Sequence, residues 1–517
     1  MNDHEVKILT DRLIPVPKEI RFSDGEEFLL KDGAVFKVCV QDTWGVAEKI
    51  TSWSKLFWNI QADIDLSEWV IPETKSACGD CKTCGKCASA LPGTGNLEAY
   101  TIRVTQEAVS ISAFGLEGVM HAMKTLRQLA EVQRGTATLE GYFLVPCQIS
   151  DAPALPFRGI HLCIFPETPL WDIERQIRIA AYHKFNYAVI EAWGIFPFES
   201  HPEFCWADKQ LDKAELKRLI RLGEELGITL VPQFNLLGHA TASRSITGKH
   251  AILNYHPELQ PLFEPEGWTW CLTNPETRKV LTDLVTELYE FYDCPPFFHI
   301  GCDEADNIGT CRDCRKKELK TLVKEHICYF HDLLEKKGTR TIMWHDMLLQ
   351  RGDERWYGCT ACGLPEHQLS ELYKELPKDI IIADWQYGAP PKREGAEADF
   401  WPSTDFFDSE EFPVLVCPWI TQEGMQSLGR FAAKRNLFGM LETTWHISHE
   451  RNFAHIYCTA SYAAWNPAVN PGVTLATRLS LAQHLRQLDW DTGVKEYTKT
   501  GWNQYQVDPG HHPHQVS

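Results

Sequence analysis

Positive charge is in short supply in this chain. Its 51 Lys and Arg face 70 Asp and Glu, a formal net charge of −19, and a phosphate backbone or an anionic bilayer surface needs a basic face to bind. No nucleic-acid or membrane partner is therefore expected, and neutral sugars or cationic groups fit better. Long apolar runs are missing as well: no window approaches the roughly 18 uninterrupted apolar residues of a membrane-crossing helix. Met1–Arg12 has no apolar core of the kind a secretory leader carries. Without an export signal, the 18 cysteines read as reduced thiols and metal ligands in preference to disulfides, and the expected compartment is the cytoplasm.

What remains is an ordinary globular composition, 44% hydrophobic and 23% charged, over 517 residues. That length fits two or three domains, or one barrel-sized domain with a companion. The 18 Trp exceed the needs of a core, and flat indole rings are suited to stacking on the apolar faces of sugars.

Residues 1–150 read as an α+β domain. Ala99–Val104 and Val109–Ala113 alternate apolar and polar as paired strands, and Leu116, Val119, Met120, Met123, Leu126 and Leu129 form a helical stripe between Gly115 and Val132. A Gly-, Lys- and Cys-rich stretch at 73–96 reads as an exposed loop. Residues 151–495 carry eight apolar runs alternating with helical patterns: Gly159–Ile164, Tyr187–Ala192, Thr229–Phe234, Phe297–Gly301, Thr341–Trp344, Ile380–Trp385, Val414–Trp419 and Phe438–Glu442. Eight such units imply an α/β fold, a closed (β/α)8 TIM barrel whose site lies at the C-terminal strand ends. Residues 496–517, with His511, His512 and His514, read as a C-terminal tail.

The fourth run ends in Gly301-Cys302-Asp303-Glu304. Adjacent carboxylates repel, which favours one of them holding a proton, and a proton-holding carboxyl is what general acid catalysis needs. At this point the chain resembles glycoside hydrolase family 20, the β-N-acetylhexosaminidases. His299-Ile300-Gly301-Cys302-Asp303-Glu304 is similar to the family's His-x-Gly-Gly-Asp-Glu signature, with Cys302 in place of the second Gly. Ile14-Pro15-Val16-Pro17 and the Tyr100–Leu129 segment resemble the family's non-catalytic domain, and Phe157-Arg158-Gly159 the start of its first barrel strand.

The resemblance implies substrate-assisted retaining hydrolysis, with Glu304 as general acid and base and Asp303 orienting the substrate's 2-acetamido group. It also implies that Arg158 binds sugar hydroxyls, that His239 supports the acid, and that Trp344, Trp385 and Trp445 wall the acetamido pocket and the sugar ring; Glu191, His299, Asp346, Tyr387 and Trp419 are further substrate-binding candidates. Three departures stand out. Glu191-Ala192-Trp193 replaces the usual Thr-Asp-Asp, so the carboxylate supporting His239 is missing or is Glu191. Cys417-Pro418-Trp419 replaces the seventh-strand Tyr and Asp, and Trp445-His446-Ile447 lacks the family's Glu. The activity expected is that of an exo-acting β-N-acetylhexosaminidase-like enzyme on a small oligosaccharide or glycoconjugate. A retaining glycosidase for another sugar, using two separate carboxylates, and a silent sugar-binding barrel stay open. The sequence leaves the oligomeric state unspecified.

Two Cys-x-x-Cys hooks, Cys311/Cys314 and Cys359/Cys362, fall in the loops after the fourth and fifth strands, where they are expected to close a structural Zn²⁺ site. Such a site leaves no open position, so the chemistry requires no cofactor. Cys78, Cys81, Cys84 and Cys87 form a second cluster, open to zinc, an iron–sulfur cluster or local disulfides.

Overall fold

The computed structural model describes residues 2–67, 96–134, 139–166, 168–205, 210–240, 252–445 and 454–492. The cluster Cys78, Cys81, Cys84 and Cys87 and the expected tail lie outside the described residues. Among those that are described, no helix is long and apolar enough to cross a membrane.

Two compact units emerge. The first comprises residues 1–154, 182–184 and 457–508, and the second residues 155–181, 185–456 and 509–517. The division differs from the expected one at the C-terminal side, because helices Ala460–Trp465 and Leu475–Thr492 join the first unit. Polar anchors explain why. Tyr462 Oη donates to the Leu13 carbonyl at 2.7 Å, Asn466 Nδ2 to Val16 at 3.2 Å, and Trp465 Nε1 to the Asp151 carboxylate at 3.0 Å. The unit is built on a six-stranded sheet in the order 19–22, 147–151, 100–104, 109–113, 35–40, 63–67. Leu116–Leu129 packs on it with Val119, Met120, Met123, Leu126 and Leu129 buried, the stripe the spacing predicts.

The second unit is the expected closed barrel of eight parallel strands: β1 (Phe157–Ile164), β2 (Tyr187–Ala192), β3 (Thr229–Gln233), β4 (Phe297–His299), β5 (Arg340–Trp344), β6 (Ile381–Trp385), β7 (Val414–Cys417) and β8 (Gly439–Thr443). β8 closes onto β1 in the register Gly439↔Phe157 through Thr443↔His161. Only glycine fits at 439, since a Cβ there would meet the Phe157 carbonyl oxygen at 2.2 Å. Inward-facing Phe157, Val189, Val231, Ile342, Ile381, Leu415 and Leu441 fill the barrel, and strand alternation puts odd-numbered residues inside on each of these strands except β5, where the even-numbered Ile342 and Trp344 face in. Crossover helices such as Lys213–Leu226, Pro275–Phe291, Leu319–Glu335 and Gln422–Arg435 form the outer layer.

Candidate active site

β4 is the shortest strand, and the way it ends makes the site. Its ladder to β3 holds a single register pair, Gln233↔His299, although hydrogen bonds run on from Leu236 N to the Ile300 carbonyl and from Trp344 N to that of Gly301, at 3.0 and 2.9 Å. The chain then turns through left-handed backbone at Gly301 (φ 64°), Cys302 (φ 75°) and Glu304 (φ 44°). Non-glycine residues there are held against a steric cost, and such strain clusters at functional sites. A Cβ at 301 would fall 1.6 Å from Asn235 Oδ1, and one at 238 would fall 2.0 Å from the Asp303 carbonyl oxygen. These contacts explain Gly301 and Gly238, while Cys302 accepts the conformation that a second glycine would adopt freely.

This turn sends Asp303 inward and Glu304 out. Asp303 is buried, whereas 45% of the Glu304 side chain is exposed. One histidine holds both carboxylates: His239 Nε2 lies 3.2 Å from Asp303 Oδ2 and 3.4 Å from Glu304 Oε2. Burial alone would depress the His239 pKa, but the charges of Asp303 and Glu304 overcome it and push it up to about 10. His239 is thus a cation at neutral pH. Among the described residues, His239 Nδ1 and Asp303 Oδ1 are buried with no hydrogen-bond partner. Asp346, fully buried, accepts from the Glu304 backbone N–H at 3.0 Å and fixes the orientation of that residue. Burial and the Asp303 charge push the Asp346 carboxyl up to about 6.

Aromatic residues surround the carboxylates. Trp385 and Tyr387 stack at 5.0 Å, Tyr387 meets Trp419 at 5.3 Å, and Trp445 Nε1 donates to Tyr387 Oη at 2.7 Å. All four residues are half-buried. Trp344 is fully buried, packed on His299 at 4.3 Å and Trp445 at 5.6 Å, so it floors the pocket. His299 lies in that floor with its pKa pushed well down by burial and by His161, and its Nδ1 accepts from the Gly301 N–H at 3.0 Å. Sequence reasoning missed Trp268, which packs against His239 at 4.3 Å with the rings tilted by 53° and donates from Nε1 to the Glu304 carbonyl at 2.7 Å. The Trp-Thr-Trp alternation at 268–270 was the available signal.

Three expectations need correction. Arg158 sits at the N-terminal end of β1, opposite the rim, and its Nη1 donates to the Leu155 and Pro156 carbonyls at 2.8 and 3.2 Å. It braces the strand start and cannot reach a ligand at the other end. Glu191 does not support His239. Its carboxylate accepts from Asn235 Nδ2 at 2.7 Å and from Cys163 Sγ at 3.6 Å, and lies 3.4 Å from His161 Nε2. Together with Trp193, Gln233, Asn235 and His239 it lines a cavity beside the acid pair. Nor do the two Cys-x-x-Cys hooks meet. The loop after β5 folds back on its own strand end, with Cys362 N–H donating to the Asp346 carbonyl at 2.8 Å and Thr360 N–H to Gln386 Oε1 at 2.9 Å. Cys362 therefore faces Asp346 and Cys359 faces Asp384 and Ser403, while Cys311 and Cys314 close on Cys271 and Glu264 instead.

Two family models match the chain: glycosyl hydrolase family 20, catalytic domain, over residues 205–399, and glycosyl hydrolase family 20, domain 2, over residues 10–152. A beta-hexosaminidase of Akkermansia muciniphila is 25% identical over 291 residues, covering 48% of this chain and 55% of the relative. One from Vibrio furnissii is 26% identical over 390 residues, covering 66% and 58%. The chain thus spans little more than half the length of these relatives. Among solved structures, the beta-N-acetylhexosaminidase of Bacteroides fragilis superposes with a TM-score of 0.63 at 19% identity, covering 92% of this chain and 96% of its own. The exo beta-N-acetylglucosaminidase of Vibrio harveyi, solved in complex with N-acetylglucosamine, gives 0.63 at 18% identity, covering 94% and 78%.

Proposed function

Because the chain belongs to glycosyl hydrolase family 20 as a divergent member, we propose that it is an exo-acting β-N-acetylhexosaminidase-like glycoside hydrolase that removes a terminal N-acetylated sugar from a small oligosaccharide or glycoconjugate. One observation carries the reading: a single histidine lies within 3.4 Å of two adjacent carboxylates, one buried and one exposed, at the C-terminal end of a barrel strand. That asymmetry divides the labour. Glu304, exposed, gives its proton to the glycosidic oxygen as the bond from that oxygen to C1 breaks. The substrate's own acetamido carbonyl oxygen attacks C1 from the other face and closes a five-membered ring. Asp303, buried, accepts a hydrogen bond from the acetamido N–H and offsets the positive charge that builds on that ring. Water then attacks C1, Glu304 takes its proton back, and the acetamide re-forms with the configuration retained.

His239 bridges the two carboxylates, Asp346 fixes the turn that aims Glu304, and Trp385, Tyr387, Trp419 and Trp445 supply the apolar faces on which a sugar ring stacks. Tyr387 Oη, oriented by Trp445, is a hydrogen-bond donor suited to the acetamido carbonyl, a place that the seventh-strand Cys417-Pro418-Trp419 cannot fill. A panel of aryl β-glycosides with and without the 2-acetamido group tests the reading. Turnover confined to the 2-acetamido members is expected, and equal turnover of the plain glycosides would favour a two-carboxylate glycosidase.

A further inference from the structure

The cluster that displaced the expected zinc site has a geometry of its own. Cys271 Sγ lies 3.7 Å from Cys311 Sγ and 3.8 Å from Cys314 Sγ, and these sulfurs and a Glu264 carboxylate oxygen all lie within 4.8 Å of one another. A zinc tetrahedron with Zn–S bonds of about 2.3 Å has edges of about 3.8 Å. The spacing therefore matches a shared metal and is far too long for a disulfide, which needs about 2.05 Å. Glu264 supplies an independent observation. It is fully buried, its Oε2 accepts from the Cys311 N–H and from Thr310 Oγ1, and its Oε1 has no partner among the described residues. A buried carboxylate oxygen left unanswered beside three thiols is a ligand atom without its cation.

Polar groups face the sulfurs. Cys314 N–H donates to Cys311 Sγ at 3.2 Å, as a metal-binding Cys-x-x-Cys turn requires, and Thr273 Oγ1 lies 3.2 Å from Cys314 Sγ. The turn carries Arg312, Arg315, Lys316 and Lys317 against one acid, Asp313, with which Arg312 and Lys316 pair at 3.6 and 2.7 Å. We propose that Cys271, Cys311, Cys314 and Glu264 bind a structural Zn²⁺ ion, clamping the 263–271 hairpin to the loop that follows Asp303-Glu304. Phe263 pairs with Trp270 across that hairpin, and Thr269 Oγ1 donates to Asn307 Oδ1 at 2.5 Å. The same hairpin carries Trp268, which packs against His239 and bonds the Glu304 carbonyl. The ion would thus stabilise the wall of the active site and take no part in the chemistry.

The test uses the full chain with Cys78, Cys81, Cys84 and Cys87 replaced by Ser, so that only one cluster can answer. Elemental analysis should find about one zinc per chain, and X-ray absorption at the zinc edge should report three sulfurs at about 2.3 Å and a nearer oxygen at about 2.0–2.2 Å. Adding Cys271→Ser should abolish that zinc, whereas adding Cys359→Ser with Cys362→Ser should leave it in place. Should the Cys271 variant fail to fold, Co²⁺ added to the chelator-treated parent decides: thiolate charge-transfer and strong tetrahedral bands are expected. A parent that takes up neither metal, a zinc that survives Cys271→Ser, four-sulfur ligation, or Cys271 recovered in a disulfide would overturn the proposal.

Discussion

Asp151 and Asp303 are both buried carboxylates facing a cation, yet their surroundings are opposite in kind. In the first unit, Asp151 Oδ2 accepts from Lys184 Nζ at 2.9 Å and Tyr100 Oη at 2.7 Å, while Oδ1 accepts the backbone N–H groups of Lys18 and Ala152 at 3.1 and 3.0 Å. Trp465 Nε1 lies 3.0 Å from both oxygens, and the Lys184 ammonium sits 4.5 Å over the Trp465 ring. Every lone pair is answered. Asp303 has His239 on one oxygen and nothing among the described residues on the other, and the neighbouring Glu304 reaches solvent. A closed network of this sort specifies a fold, and an open one is held ready for a ligand.

The largest effect that would sharpen the contrast is catalytic. Glu304→Gln keeps the volume and removes the transferable proton, so kcat should fall roughly 100- to 10,000-fold with the thermal midpoint unchanged. Steady-state kinetics beside a melting curve check both halves. Next comes the exchange of roles between the two aspartates. Asp151→Asn strands the Lys184 ammonium in the interior and should cost about 3–5 kcal/mol in denaturant unfolding, with activity per folded molecule preserved. Asp303→Asn should reverse the emphasis, losing most turnover at a smaller cost in stability, because Glu304 still faces His239 at 3.4 Å.

A smaller effect concerns pH. The folded-state pKa of His239 is raised from 6.5 to about 10, so the native state holds this proton more tightly than the unfolded chain. Its contribution to stability is fully present below about pH 6.5 and is lost as pH rises through about 10. The stability difference between wild type and His239→Gln should accordingly be greatest in mild acid and shrink toward alkaline pH. A difference independent of pH would dissociate His239 from the carboxylates. The smallest change is Trp268→Phe, which keeps the ring on His239 and deletes one hydrogen bond to the Glu304 carbonyl. A loss of about 0.5–1.5 kcal/mol in transition-state stabilisation, read from kcat/KM, is expected.

The sequence made the barrel legible because a parallel strand buried on both faces is a continuous apolar run, and all eight predicted runs begin and end within two residues of the observed strands. Phe297–Gly301 overran β4, because Ile300 and Gly301 still hydrogen-bond like a strand while their backbone has begun to turn. Asp303 and Glu304 were legible from a motif whose residues stand side by side, and His239 and the rim aromatics from their places just beyond the predicted strands. Cys271 was not, since it reaches Cys311 across 40 residues of chain and belongs to no spacing pattern. Arg158 misled for a related reason: an arginine at the start of a strand and one at its end look alike until the strand has a direction.

The central claim is that the acetamido oxygen of the substrate is the nucleophile, and its own chemistry can be tuned. Fluorine on the N-acyl methyl withdraws electrons from the carbonyl and weakens it as a nucleophile. Measuring kcat/KM across aryl 2-acetamido, fluoroacetamido, difluoroacetamido and trifluoroacetamido β-glycosides tests the account most directly. A steep, progressive fall with each fluorine is predicted. A flat series, with a covalent sugar trapped on an enzyme carboxylate, would contradict it.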